Sequence, residues 1–164
     1  MKTLVVYYSR TGNNEKIAHE IAHALGADVE QVQEQADRTG GGGYMRAAGD
    51  AIRRRPAQLE PARSSPEDYD LVILGGPVWA QTMCTPVRTY ARQHSTEFNS
   101  LALFSVGGAA FFARKAIDSI ARATGISPAA SLALSESQVE GNHAKEVSDF
   151  VASLTTAPSR RRAS

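Results

Sequence analysis

The sequence predicts an α/β domain with a parallel sheet that is covered by helices on both faces. Three apolar segments, residues 4–8, 71–74 and 101–106, have the character of buried strands, and each ends in a loop of glycine and small polar residues. Segments with helical periodicity alternate with strands, which is typical of successive β-α-β units. Because the carboxyl ends of parallel strands lie at one edge of a sheet, the three loops are expected to meet there.

The alternation predicts five strands and five helices. Each strand is a short run of branched or aromatic apolar residues, and each helix repeats its apolar residues at helical spacing. The expected strands lie near residues 3–8, 28–33, 71–75, 101–106 and 130–135. The expected helices lie near residues 14–25, 44–54, 85–94, 111–124 and 143–154.

The loop after the first strand carries the most specific signal in the chain. Short hydroxyl and amide side chains surround a glycine at the point where a helix begins. Such a helix start offers unpaired N–H groups and the positive end of the helix dipole, which together suit a phosphate. The candidate ligands are Ser9, Arg10, Thr11, Gly12, Asn13 and Asn14. The alternative is that Asn13 or Asn14 only caps the helix.

Two further loops are expected beside this one. The third strand runs into a glycine-rich turn with a tryptophan, and the fourth strand ends in a pair of glycines. Ligands in open parallel sheets bind at the edge where such loops meet. The candidate binding residues of these two loops are Pro77, Val78, Trp79, Ala80, Ser105, Gly107 and Gly108.

The three loops together resemble those of the flavodoxin family, in which a T/S-x-T-G-x-T loop holds the phosphate of FMN. Ser9, Thr11 and Gly12 match this pattern, and Asn14 stands at its last threonine position, where it still offers a donor. Trp79 matches the aromatic residue that often lies beside the flavin ring. The resemblance implies FMN as the cofactor and a flavodoxin-like three-layer sandwich with five parallel strands in the order 2-1-3-4-5.

The resemblance also implies where the flavin ring lies, between the loops of residues 77–80 and 105–109. Phe111 or Phe112 would replace the tyrosine that often covers the second ring face, or would pack the fourth helix. Neither ring loop contains Asp or Glu, so we expect less repulsion of the reduced flavin and a less negative second reduction potential than in acidic flavodoxins. No catalytic side chain is predicted, because the cofactor supplies the chemistry.

Composition limits the other possibilities. The 164 residues suit one domain, predicted over residues 1–155, followed by a disordered basic tail over residues 156–164. A formal charge of +1 argues against nucleic acid or an anionic membrane as a partner.

The single cysteine excludes an internal disulfide, and we find neither a membrane-spanning run nor a signal peptide, so a cytoplasmic location is expected. The oligomeric state stays open.

Residues 34–68 give the weakest pattern. Four glycines, residues 40–43, precede a helical stretch that ends in three arginines, residues 53–55. The arginines suit an exposed helix end, where they complement the dipole. The alternatives are a mobile flap near the flavin and a binding patch for a phosphorylated partner.

Two motifs that suggest other chemistry are rejected. His19 and His23 form an H-E-x-x-H pattern, but helical spacing places them opposite the apolar face that must pack on the sheet, so no metal site is predicted. Cys84 lies in the second loop and lacks the C-x5-R pattern of low-molecular-weight tyrosine phosphatases, so we interpret it as a packing residue.

Three functions therefore remain. The first is an electron carrier that works between redox protein partners. The second is an NAD(P)H-dependent FMN quinone reductase, because flavodoxin-like folds host both activities. The third is a non-redox interaction module. The compact loops favour the carrier, whereas the near-neutral charge and the segment of residues 40–55 favour the reductase.

Overall fold

The computed structural model describes residues 1–35 and 56–156, and it contains the expected alternation of strands and helices. The glycine run, the expected helix over residues 44–54, and the arginines of residues 53–55 lie outside the described residues. The predicted tail also lies outside them from residue 157 onward, and its first residue, Thr156, ends the last helix.

The described residues form six strands and five α-helices. The strands are β1 (Thr3–Tyr7), β2 (Asp28–Gln31), β3 (Leu71–Trp79), β4 (Thr82–Met83), β5 (Leu101–Gly107) and β6 (Ser131–Ser135). The α-helices are α1 (Asn13–Leu25), α2 (Thr85–Gln93), α3 (Ala110–Thr124), α4 (Glu136–Glu140) and α5 (Ala144–Thr156). A short 3₁₀ turn, Pro66–Asp68, precedes β3.

The sheet has the predicted topology. Five parallel strands lie in the order β2-β1-β3-β5-β6, which is the expected order 2-1-3-4-5 once the short strand β4 is left out of the count. The added strand β4 pairs with the end of β3 in antiparallel fashion. In the centre of the sheet, Val6 of β1 is in register with Leu74 of β3, which is in register with Leu103 of β5.

Helices cover both faces of the sheet, as alternating side chains of β1 illustrate. Leu4 and Val6 pack into a core beneath α2 and α3, whereas Val5 and Tyr7 pack into a second core beneath α1 and α5. Strands buried on both faces explain why the sequence shows continuous apolar runs. The flavodoxin-like three-layer arrangement is therefore confirmed.

The orientation of α1 agrees with its sequence pattern. Ile17 and Ile21 are fully buried against the sheet, whereas His19 and His23 are exposed. Within residues 1–35 and 56–156, no group of three His, Cys, Asp or Glu side chains is arranged to hold a metal ion.

A buried histidine joins α1 to the carboxyl-terminal part of the chain. The Nε2 atom of His143 lies 2.8 Å from a carboxylate oxygen of Glu20, and its Nδ1 atom lies 3.2 Å from the backbone oxygen of Gln138. We expect His143→Ala to lower the free energy of unfolding by about 1–3 kcal/mol, since both contacts and the buried ring are lost. Urea denaturation measures the change. The control His23→Ala removes an exposed ring of α1, and equal effects of the two variants would contradict the assignment.

Candidate functional site

The sheet order brings the three predicted loops together at its carboxyl edge. Tyr7 at the end of β1 is in register with Gly75 of β3, and Pro77 further along β3 is in register with Val106 of β5. The N–H of Tyr8 donates to the backbone oxygen of Gly75 at 3.0 Å, which keeps the first loop against β3. The loops that follow β1, β3 and β5 are therefore neighbours at this edge.

The first loop leaves the start of α1 open. Gly12 is the N-cap residue with φ 93°, and no side chain caps the helix. The N–H of Gly12 donates to Ser9 Oγ at 3.1 Å, and the first helical bond runs from the Lys16 N–H to the Gly12 oxygen. The N–H groups between these two bonds have no partner within the helix and carry the positive end of its dipole. The loop therefore fits a phosphate, and the alternative of an asparagine cap is wrong.

The polar side chains of this loop differ in their exposure. Arg10 and Thr11 are exposed, and Ser9 and Asn13 are partly exposed, so all four are accessible to a ligand. Asn14 is 3% exposed.

Asn14 joins the start of α1 to β5. Its Oδ1 accepts the N–H of Val106 at 3.0 Å, and its Nδ2 lies 3.4 Å from the Val106 oxygen. Pro77, the register partner of Val106, has no N–H to donate. The side chain of Asn14 is thus hydrogen-bonded to β5, and its phosphate contact stays a prediction.

Ser105 is also held inside the protein. It is fully buried, and its hydroxyl donates to the backbone oxygen of Gly76 at 2.8 Å. Its side chain therefore links β5 to β3 beneath the loops, and the ligand contact expected of it stays a prediction. A hydroxyl inside an apolar strand is the sequence signal for such a link, because a buried hydroxyl needs a partner.

The second loop is a β-hairpin rather than an irregular loop. The expected strand ends near residue 75, but β3 continues to Trp79, and Val78 and Trp79 pair with Met83 and Thr82 of β4. Glycine and proline suggested a loop, yet pairing with β5 through Pro77 and with β4 through Trp79 keeps this stretch extended. Of the four predicted binding residues in this loop, Pro77–Trp79 therefore belong to the strand, and Ala80 is the first residue of the turn.

The hairpin turn stores backbone strain. Ala80 has φ 48° and Gln81 has φ 62°, a region that costs residues other than glycine about 1–2 kcal/mol each. We expect Gln81→Gly to raise the free energy of unfolding by about 1 kcal/mol in urea denaturation. Gln81→Ala is the matched control, because it also removes the side chain but keeps the Cβ atom. Equal stability of the two variants would contradict a cost at this φ angle.

Trp79 forms an aromatic wall with a residue that the sequence analysis did not select. Its ring lies edge-on to Tyr8, with centroids 5.6 Å apart, and the Arg10 guanidinium stands 5.6 Å from the Trp79 ring centre. Burial, and then the nearby Glu34 carboxylate, raise the pKa of Tyr8 to about 12, so its hydroxyl stays protonated at neutral pH. The sequence feature that could have indicated Tyr8 is its position directly before the first loop, as an aromatic residue at the end of β1.

The third loop is shaped by close packing. A Cβ atom on Gly107 would lie 2.6 Å from Cγ2 of Val78, so glycine allows the hairpin to approach β5. Gly108 is exposed and has open space around it. Gly107 therefore lets the Val78 side chain pack against β5, and Gly108 adds no side chain to the surface of the third loop.

A buried thiol directly follows the hairpin, and a cavity lies on the side of β2. Cys84 is fully buried, and burial raises the pKa of its thiol to about 12, so it packs as an unreactive thiol. A cavity of about 370 Å³ lies between β2 and residues 59–63, with Tyr90 in its wall, and contains none of the predicted site residues.

The fold and this edge define a class: doubly wound α/β proteins that hold a phosphate-bearing ligand at the carboxyl ends of their central strands. The chain belongs to the flavodoxin family, because the family model described as Flavodoxin matches residues 2–131. Among curated proteins, none matches this chain in sequence.

Solved structures share the fold. A flavoprotein from Lactobacillus acidophilus in complex with FMN is 23% identical over 85% of this chain and 96% of its own, with a TM-score of 0.64. A flavodoxin from Fusobacterium nucleatum bound to flavin mononucleotide is 14% identical over 94% and 98%, with a TM-score of 0.54. A WrbA-like flavodoxin from Agrobacterium tumefaciens is 12% identical over 95% and 99%, with a TM-score of 0.55.

None of the helices formed by the described residues is both long enough and apolar enough to cross a bilayer.

Proposed function

We propose that the protein binds FMN and passes electrons through it. One observation carries this proposal: the uncapped start of α1 and the aromatic ring of Trp79 lie at the same edge of the sheet. The helix start suits a phosphate and the tryptophan suits a flat ring, and FMN contains both groups. The FMN complexes of two structural neighbours support the same ligand.

The first loop would hold the phosphate. The N–H groups at the start of α1 point toward this loop, and the hydroxyl of Thr11 and the amide of Asn13 are accessible beside them. Arg10 adds positive charge at the same place. Asn14 acts as a positioning residue, because its bonds to Val106 fix the helix start relative to β5.

The hairpin and the third loop would hold the ring. Trp79 stands on one side, and Pro77, Val78 and Ala80 continue the same surface toward Gly107 and Gly108. Aromatic stacking adds about 0.5–1.5 kcal/mol beyond the buried area. When bound, FMN supplies the electron-accepting and electron-donating chemistry. The protein contributes binding, orientation and the electrostatic surroundings.

The charge of the ring loops leads to a prediction about the cofactor potential. No Asp or Glu occurs in residues 75–85 or 105–115, so negative charge on the reduced cofactor meets no carboxylate from these loops. We therefore expect a less negative potential for the second electron than in acidic flavodoxins. A redox titration with equilibrated dyes measures it, and a very low second potential would contradict this expectation.

An electron carrier is the form of the function that we favour. The loops after β1, β3 and β5 are short, and no side chain among them stands out as a general acid or base. Redox protein partners would then supply and accept the electrons, in a cytoplasmic setting that suits one buried free cysteine. An NAD(P)H-dependent quinone reductase is the second candidate, supported by the near-neutral charge of the chain.

Ligand binding is tested first. Purified protein is titrated into FMN and, separately, into riboflavin while quenching of flavin fluorescence is followed. We expect FMN to bind at least about tenfold more tightly, because only FMN brings the phosphate to the start of α1. Equal affinities would contradict the phosphate site, and no binding of either flavin would favour the non-redox module.

The direction of electron supply is tested next. FMN-loaded protein is mixed anaerobically with NADPH and then NADH while the visible absorbance of oxidised flavin is followed. A stable absorbance is the result expected for a carrier that receives electrons from another protein. Rapid bleaching would show that hydride enters directly and would establish the reductase instead.

A further inference from the structure

Two aromatic side chains are exposed beside the proposed flavin site. Phe111 is 64% exposed and Phe112 is 41% exposed, and their rings contact each other edge to face at 5.6 Å. In the described part of the chain, the other exposed large apolar side chains are Met1 and Val29. An exposed apolar pair costs solvation free energy in the free protein, which is recovered when a partner covers it.

The pair is positioned at the rim of the site by the start of α3. The helix begins directly after the third loop, and Lys115 on its second turn reaches the hairpin. Its Nζ atom lies 3.3 Å from Oε1 of Gln81 and 4.7 Å from the centre of the Phe111 ring. The two phenylalanines therefore adjoin both loops between which the flavin ring is proposed to lie.

The helical segment that carries this pair is basic. Residues 71–96 and 98–117 contain no Asp or Glu, whereas Arg114 is exposed and Lys115 is half-buried next to the aromatic rings. The acidic side chains at this edge belong to other elements: Glu15 in the first turn of α1 is bonded to Tyr7, and Glu34 lies beside Tyr8, while Asp118 is one turn further along α3. An apolar centre flanked by like charges is typical of transient protein interfaces.

We propose that Phe111, Phe112, Arg114 and Lys115 form a docking surface for a redox protein whose own docking face is acidic around an apolar centre. The proposal rests on the proposed FMN function. In the complex, one electron leaves the reduced metal centre of the partner and is taken up by FMN, and no atoms are exchanged. The charge of this docking surface is therefore opposite in sign to that of a flavodoxin that docks through a carboxylate-rich face.

The first experiment compares two redox probes of opposite charge. Binding of FMN to each variant is measured beforehand, so that loss of the cofactor is distinguished from loss of docking. Reduced plant-type ferredoxin, an acidic protein, is mixed with oxidised FMN-loaded protein in a stopped-flow instrument at increasing salt. Cytochrome c, a basic protein, is mixed with the reduced form in parallel. We expect the ferredoxin rate to fall with salt and the cytochrome c rate to rise or stay constant.

Charge-reversal variants locate the surface. Arg114→Glu and Lys115→Glu are each expected to slow the ferredoxin reaction about tenfold at low salt. Arg122→Glu is the matched control, because it makes the same change in the last turn of α3 and should alter the rate by less than about twofold. Equal slowing by Arg122→Glu, or a ferredoxin rate that does not depend on salt, would overturn the proposal.

The apolar part is tested separately. Phe111→Ser should slow the ferredoxin reaction about threefold at high salt, where steering is screened, while Val29→Ser, an exposed apolar change on β2, should leave it unchanged. Weaker FMN binding in Phe111→Ser would overturn the proposal by making Phe111 a cofactor residue. If NADPH bleaches the flavin and Lys115→Glu slows that bleaching, the surface binds a pyridine nucleotide and the proposal is overturned. If the unchanged protein does not bind FMN, the proposed function itself fails.

Discussion

An acidic side chain at position 11 will cost the protein most of its affinity for FMN. Thr11 is exposed in the loop before α1, where the uncapped helix start is proposed to hold the phosphate. A carboxylate there would lie within several ångströms of the phosphate charge, and such a pair near a protein surface repels by a few kcal/mol. We expect Thr11→Glu to weaken FMN binding by roughly 3 kcal/mol, which is about 100-fold in Kd.

A neutral variant separates charge from shape. Thr11→Gln has nearly the size of Thr11→Glu, and we expect it to weaken FMN binding by less than about tenfold. Riboflavin, which has no phosphate, should bind the two variants equally well. Fluorescence quenching gives all four affinities. A riboflavin affinity that falls as much as the FMN affinity in Thr11→Glu would show that the phosphate lies elsewhere.

Alanine at position 75 will destabilise the centre of the sheet. Gly75 is in register with Tyr7 on one side and Phe104 on the other, and a Cβ atom there would lie 2.0 Å from Cε1 and Cζ of Phe104. Phe104 is fully buried, so its ring can move aside only by displacing other core side chains. We expect Gly75→Ala to lower the free energy of unfolding by about 3 kcal/mol and the melting temperature by roughly 10 °C.

Two further variants test the cause of that loss. Gly108→Ala is the matched control, because a Cβ atom at Gly108 meets no atom within 4 Å, and we expect a change below about 0.5 kcal/mol. Phe104→Leu removes the ring atoms that the new Cβ would meet. The double variant should therefore be more stable than the sum of the single changes predicts. Additive losses would show that the ring of Phe104 is not what excludes alanine.

The orientation of α1 and the burial of Cys84 could both be predicted from the sequence. The apolar spacing of α1 was sufficient to place Ile17 and Ile21 inward and His19 and His23 outward, and the structure confirms that placement. An amphipathic helix against a sheet has one orientation that buries its apolar face, so local spacing determines it. The same reasoning assigned Cys84 to packing, and it is fully buried.

Ligand contacts were harder to predict than the loops that carry them. The sequence placed Asn14 and Ser105 among the ligand-binding loops, and in the structure each side chain is hydrogen-bonded within the protein, to Val106 and to Gly76. The sequence shows only that a polar group is present near a loop. Whether the group faces the ligand or a neighbouring strand depends on residues about 30 to 90 positions away, which are adjacent only in the folded chain.

The sequence by itself determined the fold class and the three loops, because buried strands, amphipathic helices and glycine-rich turns are local patterns that repeat in chain order. The strand order followed from the resemblance of those loops to the flavodoxin family. Only the tertiary structure decided three further features: the extension of β3 into a hairpin with strained Ala80 and Gln81, the edge-on contact of Tyr8 with Trp79, and the exposure of Phe111 beside the site. Each of these depends on which strands and loops become neighbours, and such long-range packing overrides local turn and strand propensities.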